Sequence, residues 1–559
     1  MDGSSEPTST SSSLSEISPL LRKQRQRQIP TLKLIWSETL VVMKYALPIF
    51  GINILEYSLV FVSVLSIGHQ GTTALAAVTI GEMSVNITGL SIIMGFASAL
   101  DTVLPSAWTS ERPELVGLWT QRMMLIVGLT LLPIITLWMN AEAILLKLKQ
   151  EPEVARLAAL YLRCMCFGVP AFAFNVVGRR YLQCQGLFSV PTRIIIVIAP
   201  INVLLNYLLV WGPPLTRLGF IGAPLATSAS YYLLSLSYIV YGVFWVDRKA
   251  WYPITFNNLQ GVFGWQNLGL LFKLGLAGVG QTVSEWWSWE ICALVASQLG
   301  SDAVLASQSI LVVTSSITWQ IPFALGIAAS IRIGNLLGKG EALGAGAAAK
   351  GTILAGLVFA SIMSVVLLVF RNSFALLFNN DPYVVKTVAS IIPLLAIFQV
   401  FDATAGISSG ILRARGKQVL GAVLNITAYY VLGIPFGIFL AFSSATHMGL
   451  EGLWVGLTVA LVYCAGFGVV MSVWTPDWEE EVRKVATRIE DEGERERERE
   501  EREEREQADS IRSSEVGGRS GKKRRRWVGS EEGRLSAGGS SLSRSSTIAV
   551  APVDTDDSV

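Results

Sequence analysis

Apolar stretches of 20 or more residues follow one another from about residue 39 to residue 474, separated by short polar connections. A stretch of about 20 residues in α-helix spans a hydrocarbon core roughly 30 Å thick. Twelve spans are predicted, at 39–67, 74–104, 117–139, 155–183, 190–212 and 219–246, then 267–299, 303–334, 345–370, 384–412, 418–443 and 449–474. Prolines fall inside many of them, including Pro48, Pro170, Pro224, Pro322, Pro393 and Pro435. Each would argue for a break in a soluble helix, but neighbouring helices in a membrane bundle re-satisfy the freed carbonyls. Small residues such as Gly326, Ala328, Ala329 and Ser330 let backbones approach closely. The fold class is therefore an all-α membrane protein with twelve transmembrane helices.

The pattern repeats. Lys44, Leu47, Glu56, Leu65 and Gly71 recur 229 positions later as Lys273, Leu276, Glu285, Leu294 and Gly300. Within one residue, the same shift carries Gly186 onto Gly416, Gly219 onto Gly449 and Gly222 onto Gly452. So long a period means two homologous halves, giving two pseudo-symmetric six-helix lobes. The expected organisation is a basic, disordered arm over 1–38, an N-lobe over 39–246, a linker over 247–266, a C-lobe over 267–474 and a charged tail over 475–559. Six spans per lobe return the chain to its starting side, so the repeats run parallel, about an axis along the membrane normal.

Composition sharpens this picture. The chain is 559 residues long, 51% hydrophobic and only 15% charged, and most of the charge sits in the two tails. Arg112, Arg179, Arg180, Arg193, Arg332, Lys339, Arg413 and Arg415 all belong to one set of connections, which the positive-inside rule puts with both termini in the cytosol. Five cysteines, all in apolar stretches, exclude a disulfide framework. The Glu/Arg run Glu479–Glu506 can form a solvated helix through i,i+4 pairs, and the rest of the tail has a disordered composition. No removable signal peptide is expected before the first span, since no apolar stretch with a small-residue cleavage site follows the basic residues Arg22 to Arg27. No phosphate loop, catalytic triad or metal-ligand cluster is present, so neither an enzyme nor a cofactor is expected.

Ionisable residues inside spans cost about 2.5–3.5 kcal/mol at a helix centre and are functional candidates. Glu56, Glu285, Glu290 and Asp402 are the main ones, with Glu82 and Asp101 nearer helix ends. The string Glu285-Trp286-Trp287-Ser288-Trp289-Glu290 sets three indoles between two acids. A carboxylate beside ring faces suits an organic cation, each face adding about 0.5–2 kcal/mol. At about 100° per residue the two acids lie some 140° apart, so a wide cavity or a bent helix is needed to expose both. A buried carboxyl can exchange a cation for a proton; sodium could occupy the same oxygens.

Between Trp36 and Trp474 the chain resembles the eukaryotic branch of the multidrug and toxic compound extrusion (MATE) family. Ser330-Ile331-Arg332-Ile333-Gly334-Asn335-Leu336-Leu337-Gly338-Lys339-Gly340 resembles the family's S-x-R-V-x-N-x-L-G-x-G. Arg180-Tyr181-Leu182-Gln183-Cys184-Gln185 resembles R-x-[FY]-L-Q-x-Q, and the stretch Gly410 to Gln418, with Arg413, resembles G-[VI]-x-R-G-x-G-x-Q. The resemblance implies two lobes around a V-shaped cavity and cation-coupled export by alternating access. It also implies recognition of protons or cations by Glu285, Glu290 and Asp402. The chain departs from it at Leu104-Pro105-Ser106-Ala107-Trp108 and at Ala414 and Arg415, and it lacks the further acid that some organic-cation members carry between Gln308 and Pro322. Glu56 as a second coupling acid follows from the duplication alone.

The expected function is a proton-coupled antiporter that exports organic cations or amphipathic molecules. The alternatives are a sodium-coupled antiporter or a lipid-linked-glycan flippase of the same superfamily. Glu16, Leu20 and Leu21 fit the acidic dileucine pattern read by sorting adaptors, which leaves a vacuolar and a plasma-membrane location both open.

Overall fold

The structure, a computed structural model, describes residues 31–253, 262–263, 265–300, 302–444 and 446–527. The dileucine pattern and part of the linker lie outside them. Two compact units separate at Glu496 and Arg497.

Twelve long helices precede the tail in the first unit among the described residues. They are α1 (Leu32–Gly68), α2 (Thr72–Trp108), α3 (Leu115–Met139), α4 (Pro152–Cys184), α5 (Ser189–Trp211) and α6 (Gly222–Trp245). The second half supplies α7 (Trp265–Ser297), α8 (Asp302–Gly338), α9 (Ala342–Val369), α10 (Pro382–Ala414), α11 (Gln418–Phe442) and α12 (Leu450–Trp474). Ten of these are long and apolar enough to cross a membrane. The other two are α6 and α7. Serines and tyrosines dilute α6, whereas α7 carries Lys273, Gln281, Glu285 and Glu290. The helix richest in candidate chemistry is thus among the least lipid-like.

The duplication is written in the backbone. Gly71 and Gly300 adopt φ of 142° and 79°, Gly186 and Gly416 82° and 69°, Gly219 and Gly449 62° and 53°. Every member of these pairs ends a turn in a conformation that side chains resist, so glycine is retained at both copies. Across the halves α1 packs on α8, and α2 packs on α7, the matching pair under the repeat. The second contact is close because glycines face it: a Cβ on Gly95 would stand 2.5 Å from the Val279 backbone.

Four stretches wind as π-helix: Asn86–Leu90 in α2, Tyr207–Trp211 in α5, Thr427–Gly433 in α11 and Val470–Trp474 in α12. A π turn displaces one carbonyl from the ladder and is common at functional positions. Here the turn in α2 offers the carbonyl of Ile87 to the indole of Trp287, 3.2 Å away.

One sequence expectation needs correction. The Glu/Arg run reads as a solvated helix in a largely disordered tail; the structure has the helix, α13 (Trp478–Trp527), but its first part is not solvated, and residues 528–559 lie outside the described residues. Its first part, to Glu496, is packed on the bundle with Glu481, Val485, Ile489, Glu492 and Glu496 buried. The sequence misled because alternating Glu and Arg balance each other locally, while the arginines that pair with these glutamates, Arg122 of α3 and Arg415 after α10, lie far away in the chain. Beyond Glu496 the helix continues in the second unit, with an i,i+4 pair between Glu501 and Arg505.

Candidate functional site

Four helices of the second half converge on Tyr429, which lies 3% exposed on the π turn of α11. Cys292 of α7, Phe398 of α10 and Cys464 of α12 share its buried cluster, and Glu285 and Asp402 lie within electrostatic reach of it. Asp402 is 6% exposed and feels Glu285 directly. Glu285 itself is half-buried, so one acid of the pair is enclosed and the other reaches towards accessible space. Among the described residues, neither carboxyl forms an ion pair; the cation acting on Glu285 is Arg413, from the end of α10.

A polar tier connects that arginine to the cluster. Arg413 Nη1 donates to Ser409 Oγ at 3.0 Å, and Gln281 Nε2 donates to the same hydroxyl at 2.5 Å. Asn425 Nδ2 in turn donates to the Gln281 carbonyl at 3.1 Å. Gln281 stands one turn before Glu285 on the same helix face. Sequence reading missed Tyr429, Gln281 and Ser409, since uncharged polar residues in membrane helices carry no signal of their own.

The other acid of the tryptophan string is set apart. Glu290 is half-buried and, among the described residues, has no ion-pair partner. The three indoles also divide. Trp289 packs edge-on against Phe398 and Trp454, with centroids 5.7 and 6.0 Å away. Trp287 is 40% exposed and reaches α2, while Trp286 is half-buried.

In the first half Glu56 binds Arg179, with Nη1 to Oε2 at 2.6 Å. Glu82 is buried and accepts the hydroxyl of Tyr161; no cation pairs with it among the described residues. Asp101 takes Arg180 at 3.0 Å and Arg413 at 3.4 Å. Of the motif residues, Arg332 clamps Glu38 through two bonds of 2.7 and 2.9 Å, and the Asn335 carbonyl accepts Thr109 Oγ1 at 2.7 Å. Gln183 is buried at the end of α4. These residues fasten helices of the two halves together at one end of the bundle, while the acids lie deeper.

An all-helical, internally duplicated bundle with apolar spans and enclosed acids belongs to the class of multi-pass membrane transporters. The MatE family model matches the chain twice, over residues 48–208 and 279–439. An uncharacterised transporter of Schizosaccharomyces pombe is 37% identical over 82% of this chain and 83% of its own. Multidrug and toxin extrusion protein 2 of Mus musculus is 32% identical over 81% of this chain and 77% of its own. The crystal structure of the eukaryotic MATE transporter AtDTX14 superposes with a TM-score of 0.75 at 29% identity, covering 82% of this chain and all of that one. The chain belongs to the MATE family.

Proposed function

We propose that this protein is a proton-coupled antiporter that exports organic cations or amphipathic small molecules by alternating access, with Glu285 and Asp402 as the exchanging acids. The observation that carries this reading is the neighbouring pair Glu285 and Asp402, the aspartate enclosed and the glutamate half-buried, with no ion-pair partner for either among the described residues. Two neighbouring carboxyls in a low-dielectric interior cannot both stay charged cheaply. The pair is therefore satisfied either by a proton or by a cationic substrate, and exchange between these couples the two fluxes. The exposed indole of Trp287 and the half-buried Trp286 give an organic cation ring faces beside the charge. The rival coupling ion is sodium, and the coupled export places the arginine-rich end in the cytosol.

The test is purified protein in proteoliposomes, with tetraethylammonium efflux driven by an imposed pH gradient and by an imposed sodium gradient in parallel. Efflux with the pH gradient alone, lost in Glu285→Gln and in Asp402→Asn, is the expected result. Efflux that needs sodium moves the coupling to that ion. Undiminished pH-driven efflux in both variants removes the acids from the mechanism.

A further inference from the structure

The first part of α13 buries a face that no solvated helix would bury. Glu481, Val485, Arg488, Ile489, Glu492 and Glu496 recur at spacings of three and four, so they form one stripe. Val485 and Ile489 join the main apolar core. Burying three glutamates is costly unless each finds a partner, and the partners come from both halves of the protein.

At its start the helix holds the second half. The Trp478 ring packs on Gly346 of α9, where a Cβ would stand 3.0 Å from it, and the Arg415 guanidinium lies 5.7 Å above the same ring. Arg415 also binds Glu481 at 3.0 Å. Further along, the helix holds the first half. Arg488 donates to the Thr102 carbonyl at 3.3 Å and to Ser106 Oγ at 3.0 Å, both on α2. Arg112 donates to the Gly493 carbonyl at 3.1 Å. Arg122 of α3, fully buried, binds Glu492 and Glu496, the latter at 2.8 Å. The Tyr252 hydroxyl, in the connection between halves, reaches Glu496 at 3.4 Å.

A single rigid segment is thus fastened to both halves at the end where Arg332, Asn335 and Arg413 already join them. Alternating access separates the halves at one end and then at the other. We propose that Trp478–Glu496 is an intramolecular strap that holds the arginine-rich end closed, and that its detachment from one half is the step that lets that end open. This inference rests on the alternating-access reading given above. The attachment is asymmetric. Among the described residues the second-half end rests on the Trp478 ring, against Gly346 and the Arg415 guanidinium, and on the Arg415–Glu481 ion pair. The first-half end has Arg122 paired with two glutamates and three further hydrogen bonds made by Arg488 and Arg112. Release therefore begins at Trp478, and the strap stays with the first half as the end opens.

The test uses the full chain with its five cysteines replaced by alanine and Thr109→Cys introduced. Thr109 is half-buried at the seam, where its hydroxyl donates to the Asn335 carbonyl at 2.7 Å. Labelling by a membrane-impermeant maleimide, applied to vesicles with the arginine-rich end outward, reads opening without reference to transport. Trp478→Ala combined with Glu481→Gln removes only the second-half attachment and should raise the labelling rate about tenfold or more, the factor that 1.4 kcal/mol produces. A chain ending after Pro476 should do the same or more; because it uncovers Arg122, monodispersity is checked alongside. An unchanged rate in a folded Trp478→Ala, Glu481→Gln protein overturns the strap. Faster labelling with no efflux under any gradient upholds the strap and overturns the antiport reading, so the two can fail separately.

Discussion

Asp101 of α2 holds one arginine from each half of the molecule: Oδ1 accepts Arg180 Nε at 3.0 Å, and Oδ2 lies 3.4 Å from Arg413 Nε. All three side chains are largely enclosed. Removing one member of a buried ionic group strands the others and costs about 3–5 kcal/mol. Asp101→Asn should therefore lower the melting temperature in detergent by several degrees and accelerate labelling at Thr109→Cys. If the variant melts with the parent protein, the aspartate is not a structural clamp.

Arg413 also acts on Glu285 and shares Ser409 with Gln281. The closed end and the acid cluster are joined through one side chain, so a charge change at Glu285 is felt at the clamp. Glu285→Gln should weaken that pull and alter the Thr109→Cys labelling rate by about two- to fivefold, a coupling of roughly 0.5–1 kcal/mol. An identical rate would mean the cluster and the clamp operate independently.

Glu285 and Asp402 should behave as one unit. If a shared proton or cation is what both acids serve, neutralising the second adds little once the first is gone. The double variant Glu285→Gln, Asp402→Asn is expected to show residual pH-driven efflux no lower than the worse single variant. Losses that multiply would mean that each acid acts alone.

Much of the fold was legible because lipid imposes long apolar runs and because a duplication shows itself twice in one chain. The paired glycines were readable from spacing, and their positive φ values supply the physical reason. Glu285 and Asp402 stood out for the cost of an acid in a span, and the structure brings them together. Partnering was not legible. Glu56 and Glu82 are both acids in apolar stretches, but Arg179 neutralises the first, whereas among the described residues the second meets Tyr161 and no cation. The docked stretch of α13 was hidden for the same reason, since its arginine partners lie far away in the chain.

That difference predicts opposite phenotypes in the first half. Glu56→Gln leaves the buried Arg179 without its carboxylate and should cost about 3 kcal/mol of stability, read as a lower melting temperature. Glu82→Gln replaces an acid that has no cation with a neutral isostere and should leave stability within about 1 kcal/mol, since the amide oxygen still accepts the Tyr161 hydroxyl. Equal melting shifts in the two variants would contradict the assignment of partners.

Arg488 supplies the last prediction, because burial opposes its charge. Among the described residues no carboxylate pairs with it, and desolvation lowers its pKa to about 10, well below the usual guanidinium range. Above about pH 10 the free helix would keep a proton that the docked helix gives up, so docking strengthens as pH rises through that value. At neutral pH both states are charged and the full penalty is carried. An apolar side chain of similar length escapes that penalty, and replacing buried charge by packed hydrocarbon is often neutral or stabilising by about 1–4 kcal/mol. Arg488→Met should therefore leave labelling at Thr109→Cys unchanged or slower, in the direction opposite to Trp478→Ala. Arg488→Ala, which opens a void under the helix, should make it faster. Faster labelling in the methionine variant would show that the two hydrogen bonds to Thr102 and Ser106 outweigh the cost of burying the guanidinium.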